Sequence, residues 1–269
     1  MRDNHNVLHL EVRFCPTLHT LHGLSERAAC DAVSRGFNRA GMSGGVIICA
    51  LRTLPPSHWA AMVKLTAETA AVGIDVAGYE PGSPLSPEML ALLARAKAAG
   101  CGVTVHAGEW PGARDAATGE VETLQNVRRA VESGIVDRIG HGLQLAGQDE
   151  LLVAARRSGM HIECQPFSNG ALLQDLTAHP VKEFLGHGLS VSLSTDNVMF
   201  AGQAGRHHDD GPSLQLAYTK SQIGLSWGQI AALTAGACDH VFGADQAKKA
   251  ALRATIEQGF AKVLGSHAS

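Results

Sequence analysis

This chain of 269 residues has few aromatic residues and no large excess of positive or negative charge. Aromatic side chains make up only 4% of the sequence, so Ala, Val, Leu and Ile must form most of any core. The formal net charge of −3 gives no basic surface for nucleic acid. No apolar run reaches the length of about 18 residues that a membrane-spanning helix needs. We therefore expect neither a nucleic-acid-binding protein nor a membrane protein.

Paired cysteines are also absent, because none of the six cysteines belongs to a Cys-x-x-Cys motif. This argues against a zinc ribbon and against a scaffold of disulfides. Scattered thiols are typical of the reducing cytosol, and the polar start Met1–Asn6 does not resemble an apolar signal segment. The sequence therefore predicts a cytoplasmic protein.

Short apolar strands alternate with amphipathic helices along most of the chain. This order is typical of a parallel sheet with both faces covered by helices. Further helices are predicted between Ser213 and about Leu264. The predicted strands are Val7–Pro16, Gly45–Leu51, Val72–Gly78, Gly102–Val105, Asp137–Gly142, Met160–Gln165 and Leu189–Leu193.

Helix boundaries are marked by capping residues. Ser25 is predicted to cap a helix that ends at Ala40. Ser86 caps a second one, with Pro87 in its first turn and Gly100 after its end. Together with the chain length, these elements predict one domain over residues 1–269 with the fold of a TIM-type (β/α)8 barrel. The predicted strands number one fewer than a closed barrel needs.

Polar side chains suited to a metal site follow three of the predicted strands. His106 and Glu109 follow the fourth, His141 closes the fifth and Asp196 follows the seventh. The carboxyl ends of barrel strands meet at one rim, so these side chains would point into one mouth. Imidazole and carboxylate groups suit zinc or a similar divalent ion, and a further carboxylate could serve as a general acid. A polar cap on a half-buried strand is the alternative interpretation of His106 and Glu109.

Other polar residues have plainer interpretations. Glu11 and Arg13 alternate with apolar residues and are interpreted as a buried pair at the barrel wall. Glu163 is interpreted as a brace of the rim. The pair His207-His208 lies in a glycine-rich segment, where a solvated loop is favoured over a ligand cluster.

Several segments, taken together and in this order, resemble the adenosine deaminase family of metal-dependent amidohydrolases. The resemblance extends from residue 7 to about residue 245, and its motifs are specific as a set. The segments are Leu10–Phe14, Ile74–Gly78, Val103–Glu109, Arg138–Gly142, Glu163–Pro166 with Ser168-Asn169, and Leu193–Asn197.

The resemblance implies a role for each residue at the predicted rim. His106 and Asp196 are implied as ligands of one zinc or similar divalent ion. Glu109 is implied as the acid that protonates N1 of a purine ring. His141 is implied to orient the metal-bound water and to take part in its deprotonation. Gly78 is implied to meet the purine through its backbone N–H.

The sequence departs from the family pattern in two places. Asn197 stands where the family commonly has a second aspartate, although an amide can still donate to a ring nitrogen and so bind the purine. The His-x-His pair of the family's first strand occurs nowhere in the sequence. We therefore expect an incomplete barrel that lacks the first βα unit and is followed by extra C-terminal helices. We also expect weak zinc binding, since catalytic sites usually use three protein ligands or more.

The leading hypothesis is a hydrolytic deaminase that converts an aminopurine nucleoside, adenosine, to inosine and ammonia, impaired by the absent ligands. One alternative is a non-catalytic remnant, or a barrel completed by a partner chain. Its motivation is the absent strand, which leaves an open seam through which the chain could self-associate. Another alternative is a related deaminase acting on a different aminopurine, which Asn197 suggests. The expected ligand is a purine nucleoside or base.

Overall fold

The computed structural model describes residues 5–197 and 211–265, and the segment with His207-His208 lies outside these ranges. The described residues contain seven strands, as the sequence predicted. They are His9–Phe14 (β1), Ser43–Leu51 (β2), Gly73–Ala77 (β3), Gly102–Ala107 (β4), Arg138–His141 (β5), His161–Cys164 (β6) and Ser190–Leu193 (β7).

Helices follow the strands throughout the described residues. None of them is both long and apolar enough to cross a membrane. The α-helices are Glu26–Arg39 (α1), Pro56–Glu68 (α2), Pro87–Ala98 (α3), Glu122–Glu132 (α4), Asp149–Arg157 (α5), Pro166–Leu173 (α6), Val181–Gly186 (α7), Pro212–Tyr218 (α8), Trp227–Gly236 (α9) and Gln246–Gly265 (α10). Short 3₁₀ turns lie at Pro16–His19, Leu143–Leu145, Leu176–Ala178 and Ala237–His240, and a π-helical turn lies at Thr219–Ile223.

The predicted serine caps of two helices are confirmed. The Ser25 hydroxyl accepts the backbone N–H of Ala28 at 3.1 Å, at the start of α1. The Ser86 hydroxyl accepts the N–H of Met89 at 3.1 Å, at the start of α3. Each cap satisfies a backbone donor that the first helical turn leaves without a partner.

The chain divides into two compact units. The N-terminal unit, Leu8–Leu145, holds five strands in the order β1-β2-β3-β4-β5, and all neighbouring strands are parallel. The C-terminal unit comprises Ala146–Ser269 with Met1–Val7, and in it β6 pairs with β7 in parallel. Seven parallel strands with intervening helices are the TIM-type barrel fold with one strand fewer than eight. A single domain over residues 1–269 stays a prediction.

The strands of the N-terminal unit bury aliphatic residues on one face, and on the other they carry aliphatic, polar and charged residues, among them Ile47, Thr104 and Asp75. Ile48, Ile74 and Val105 are fully buried on the face that the helices cover. On the opposite face, the register of β2 to β5 places one residue of each strand at the same level of the sheet. These residues are Cys49, Asp75, Thr104 and Arg138. This level of the sheet is therefore polar, and two of its four residues, Asp75 and Arg138, are charged.

The charged residues of β1 have partners on other strands. The guanidinium of Arg138 on β5 donates to Glu11 at 2.6 Å, and Arg13 lies 3.4 Å from the Asp75 carboxylate on β3. Both Glu11 and Arg138 are largely buried. Side chains thus join the first and fifth strands of the unit, which the strand order leaves apart.

Two histidines inside the C-terminal unit, His161 and His179, are satisfied by hydrogen bonds. The ring nitrogens of His161 lie 2.9 Å from the hydroxyls of Ser190 and Ser192. Buried His179 accepts the N–H of Val181 at 3.2 Å, and its other nitrogen lies 3.1 Å from the Asn169 side-chain oxygen. Burial lowers the pKa of His179 to about 4, so its ring is neutral at pH 7.

Replacing Glu11 by Gln should lower the free energy of unfolding by about 3 kcal/mol, because it breaks the largely buried ion pair that Glu11 forms with Arg138 at 2.6 Å. Thermal or urea unfolding would measure the change. Glu120→Gln is the matched control, since the pair of Glu120 with Arg128 is partly exposed and should contribute less than about 1 kcal/mol. Equal losses for the two variants would contradict the importance of the buried link.

The neutral ring of His179 predicts a loss of stability on acidification. Its folded-state pKa lies below that of the unfolded chain, so the unfolded state binds the proton first as the pH falls from about 6.5 to about 4. Across this window the stability should fall by about 3 kcal/mol more in the wild type than in His179→Gln. Urea unfolding at a series of pH values would test this, and parallel curves would contradict it.

Candidate active site

The first predicted site residue, His106, lies within a strand. β4 continues two residues beyond its predicted end, because His106 and Ala107 pair with Gly140 and His141 of β5. The Nδ1 atom of His106 lies 3.1 Å from the Asp75 carboxylate on the neighbouring β3. A carboxylate on one ring nitrogen fixes the tautomer and the orientation of a histidine, and leaves the other nitrogen for a ligand.

Charge inside the unit determines the protonation of this pair. Burial lowers the pKa of His106, but attraction to Asp75 and their hydrogen bond outweigh it, so the pKa is raised. Burial raises the pKa of Asp75, but His106 and Arg13 lower it further and hold it well below its usual range. Asp75 is therefore ionised at neutral pH and accepts the Nδ1 proton of His106.

Three of the predicted site residues come together in the N-terminal unit. The Nε2 atom of His141 lies 3.7 Å from a carboxylate oxygen of Glu109. The rings of His106 and His141 have centroids 5.1 Å apart. His141 is buried and Glu109 is largely buried, so the acid and the two imidazoles share a protected environment.

The turn that carries Glu109 requires glycine before it. Gly108 has φ of +66°, and a Cβ added there would lie 2.5 Å from Cγ2 of Val127 on α4. The turn therefore lies close to α4, and only glycine combines this backbone conformation with this close approach.

Two charged residues that the sequence interpretation missed hold the same turn. The Glu80 carboxylate accepts the backbone N–H of Gly108 at 2.8 Å and that of Glu109 at 3.0 Å. The Arg52 guanidinium donates to the backbone oxygen of His106 and lies 3.8 Å from Glu80. Both residues follow the ends of strands, Arg52 after β2 and Glu80 after β3. The position after a strand end, from which His106 and Glu109 were predicted as site residues, could also have pointed to Arg52 and Glu80.

Gly78 lies directly after β3 with φ of +107°. A Cβ there would meet its nearest neighbours at 3.8 Å, so the conformation rather than the space favours glycine. Its predicted contact with a purine stays a prediction.

Asp196 and Asn197 follow β7 in the C-terminal unit, and both are exposed. Asp196 has φ of +59° and His141 has φ of +69°. Only two other non-glycine residues in the described part of the chain, Asn6 and Gln174, have positive φ. Such strained positions are concentrated at functional sites, which favours the roles predicted for His141 and Asp196.

Whether the described residues fit a metal ion depends on how many His, Cys, Asp and Glu side chains lie close enough together to bind it. Residues 5–197 and 211–265 contain no group of three or more His, Cys, Asp or Glu side chains placed to hold one. His106 has the ring orientation of a ligand, through its bond to Asp75. Since catalytic zinc usually has three protein ligands, the described residues do not make a complete site.

Comparison with known proteins identifies the family. The sequence matches the family model described as "Adenosine deaminase" over residues 1–258, so the chain belongs to the adenosine deaminase family. It is 34% identical over 204 residues to an adenosine deaminase of Vibrio vulnificus, which covers 72% of this chain and 58% of that protein. It is 29% identical over 260 residues to an adenine deaminase of Rhodospirillum rubrum, covering 93% of this chain and 72% of that protein.

The fold has a close counterpart among solved structures. An amidohydrolase from Burkholderia ambifaria, solved with bound zinc, superposes with a TM-score of 0.83 at 24% identity and covers 98% of this chain and 71% of that one. The chain spans little more than half the length of the Vibrio relative.

Replacing Gly108 by Ala should destabilise the protein by about 3 kcal/mol, because the methyl group adds a clash with Val127 to the strain of positive φ. Gly119→Ala is the matched control: its φ of +71° is similar, but no atom lies within 4 Å of the added Cβ. We expect about 1 kcal/mol there. Thermal unfolding would measure both, and equal losses would contradict the close approach to α4.

Proposed function

We propose that this chain carries the site of a metal-dependent hydrolytic deaminase that converts adenosine to inosine and ammonia. The observation that supports this proposal most strongly is the grouping of Glu109 with His106 and His141 in a member of the adenosine deaminase family. A carboxyl and two imidazoles within a few ångströms provide an acid, a base and a metal ligand. Each has the role that the family motif implies.

Glu109 is the proton donor in this proposal. Addition of water to C6 of the purine builds negative charge on the ring, and a proton delivered to N1 relieves it. The amino group then leaves as ammonia and the 6-oxo purine remains. His141, 3.7 Å from Glu109, is placed to orient the attacking water and to take part in its deprotonation.

A divalent metal, zinc in this proposal, would lower the pKa of a bound water to about 7 and so make hydroxide available at neutral pH. His106 and Asp196 are the proposed ligands in this chain. The Asp75 hydrogen bond to His106 and the zinc in the Burkholderia amidohydrolase support this assignment. Because the described residues lack a third ligand, we expect weak zinc binding unless further ligands are supplied.

Gly78 and Asn197 are the proposed purine contacts. The relatives include an adenosine deaminase and an adenine deaminase, so nucleoside and free base are the two substrates to compare. We propose a cytoplasmic location, which six free cysteines support.

A second proposal is a non-catalytic or partner-completed barrel, which the incomplete donor set favours. Size-exclusion chromatography with mass detection would show whether the chain is a monomer or associates with a second copy. A stable monomer would argue against completion by self-association through the open seam.

Ammonia release from adenosine and adenine, with added zinc, tests the deaminase proposal. We expect little turnover by the 269-residue chain, and strong turnover once an N-terminal strand bearing His-x-His is added. Glu109→Gln should lower kcat of the extended form by at least about a hundredfold, as expected when a general acid is lost. Full activity of the unextended chain would contradict the expected impairment. No turnover by the extended form would contradict the deaminase assignment.

A further inference from the structure

Arg52 and Glu80 have no part in the proposed chemistry, although their side chains are almost completely buried, at 1% and 2% exposure. We propose that the two act together as positioning residues, which set the locations of His106 and Glu109 by holding both ends of the turn between them. The inference rests on the proposed function for the roles of His106 and Glu109. The contacts that carry it are independent of substrate and metal.

Glu80 holds the far end of the turn. Its carboxylate accepts three successive backbone N–H groups, from Gly108 at 2.8 Å, Glu109 at 3.0 Å and Trp110 at 3.5 Å. Successive N–H groups around a residue of left-handed conformation form a concavity that binds anions. Here the anion is a side chain of the protein itself, so the backbone of Glu109 is fixed by a charge.

Arg52 holds the near end of the turn. Its guanidinium donates to the backbone oxygen of His106 and, at 3.3 Å, to that of Ser83. One planar group thereby joins the end of β4 to the loop after β3. A planar guanidinium has the geometry to make several such bonds at once, whereas a lysine ammonium does not.

The ion pair joins the two ends. An Nη atom of Arg52 lies 3.8 Å from the Glu80 carboxylate. Arg52 also balances the charge of Glu80, so the pair adds no net negative charge beside Glu109.

Asn126 on α4 fixes the orientation of Glu80. Its side-chain nitrogen donates to Glu80 at 3.1 Å, and its side-chain oxygen accepts the N–H of Leu85 at 2.7 Å. Asn126 is itself buried. The Glu80 carboxylate therefore has few alternative positions, which is the property a positioning residue needs.

Amide hydrogen exchange of the full chain tests the inference without substrate or metal. In Glu80→Gln the side-chain NH₂ group replaces either the oxygen that accepts from Gly108 or the oxygen that accepts from Glu109 and Trp110, so the exchange of at least one of these amides should accelerate at least about tenfold. Glu122→Gln is the matched control. Glu122 also accepts backbone N–H groups, from Gly82 at 3.1 Å and Ala113 at 3.2 Å, but contacts no residue of the turn through them.

Arg52→Lys is the second variant, since it keeps the positive charge but loses the planar fork. We expect it to accelerate exchange of the same amides, and to do so non-additively when combined with Glu80→Gln. Accelerated exchange confined to residues 108–110 supports the inference. Exchange in Glu80→Gln that matches Glu122→Gln, or that rises equally throughout the unit, would overturn it.

Kinetics of the extended form separate this inference from the proposed function. If that form deaminates, Glu80→Gln should lower kcat at least about tenfold while KM changes less than about twofold, because a displaced acid affects the transition state more than binding. A rise in KM alone would overturn the positioning role. If no form deaminates, the proposed function fails, and hydrogen exchange still decides whether the pair holds the turn.

Discussion

A charge buried away from water must be paired, and this requirement organises the N-terminal unit of the protein. Glu11 is paired with Arg138, Asp75 with Arg13 and His106, and Glu80 with Arg52. The pairs join strands that are not neighbours in the sheet as well as strands that are. Since separating a buried ion pair is costly, each pair links the parts of the chain that carry it.

The same requirement prepares the candidate site. Asp75 is held ionised by Arg13 and His106, and in turn it orients the His106 ring with one nitrogen turned away from it. Glu80 is balanced by Arg52, and together they fix the turn between His106 and Glu109. The proposed reacting groups are therefore supported by residues that have no role of their own in the proposed chemistry. Such support is what keeps a catalytic geometry within the narrow range that chemistry tolerates.

The parts of this arrangement that depend on local sequence could be predicted, and the parts that depend on distant contacts could not. The serine caps and the strands follow from short patterns, and His106, Glu109 and His141 from motifs at strand ends. Arg52 and Glu80 also follow strands, but their partners lie 54 and 28 residues further along the chain. The position of both residues after a strand is visible in the sequence, but local sequence does not show that Glu80 is a buried anion rather than an ordinary turn residue. The extra length of β4 was missed for a related reason, because pairing with β5 carries the strand through a polar residue.

The backbone at His141 and Asp196 bears on whether these side chains have a function or only complete a turn. His141 ends β5 and Asp196 follows β7, and both have the left-handed conformation, which glycine adopts without strain and other residues adopt at a cost of about 1–2 kcal/mol. The chain does use glycine where conformation alone matters, as at Gly134 and Gly159, both with positive φ and no atom within 4 Å of an added Cβ. An imidazole and a carboxylate at two strained positions are therefore unfavourable for stability taken alone. Their presence is explained if the side chains contribute something that glycine cannot, namely a proton acceptor and a metal ligand at the ends of parallel strands.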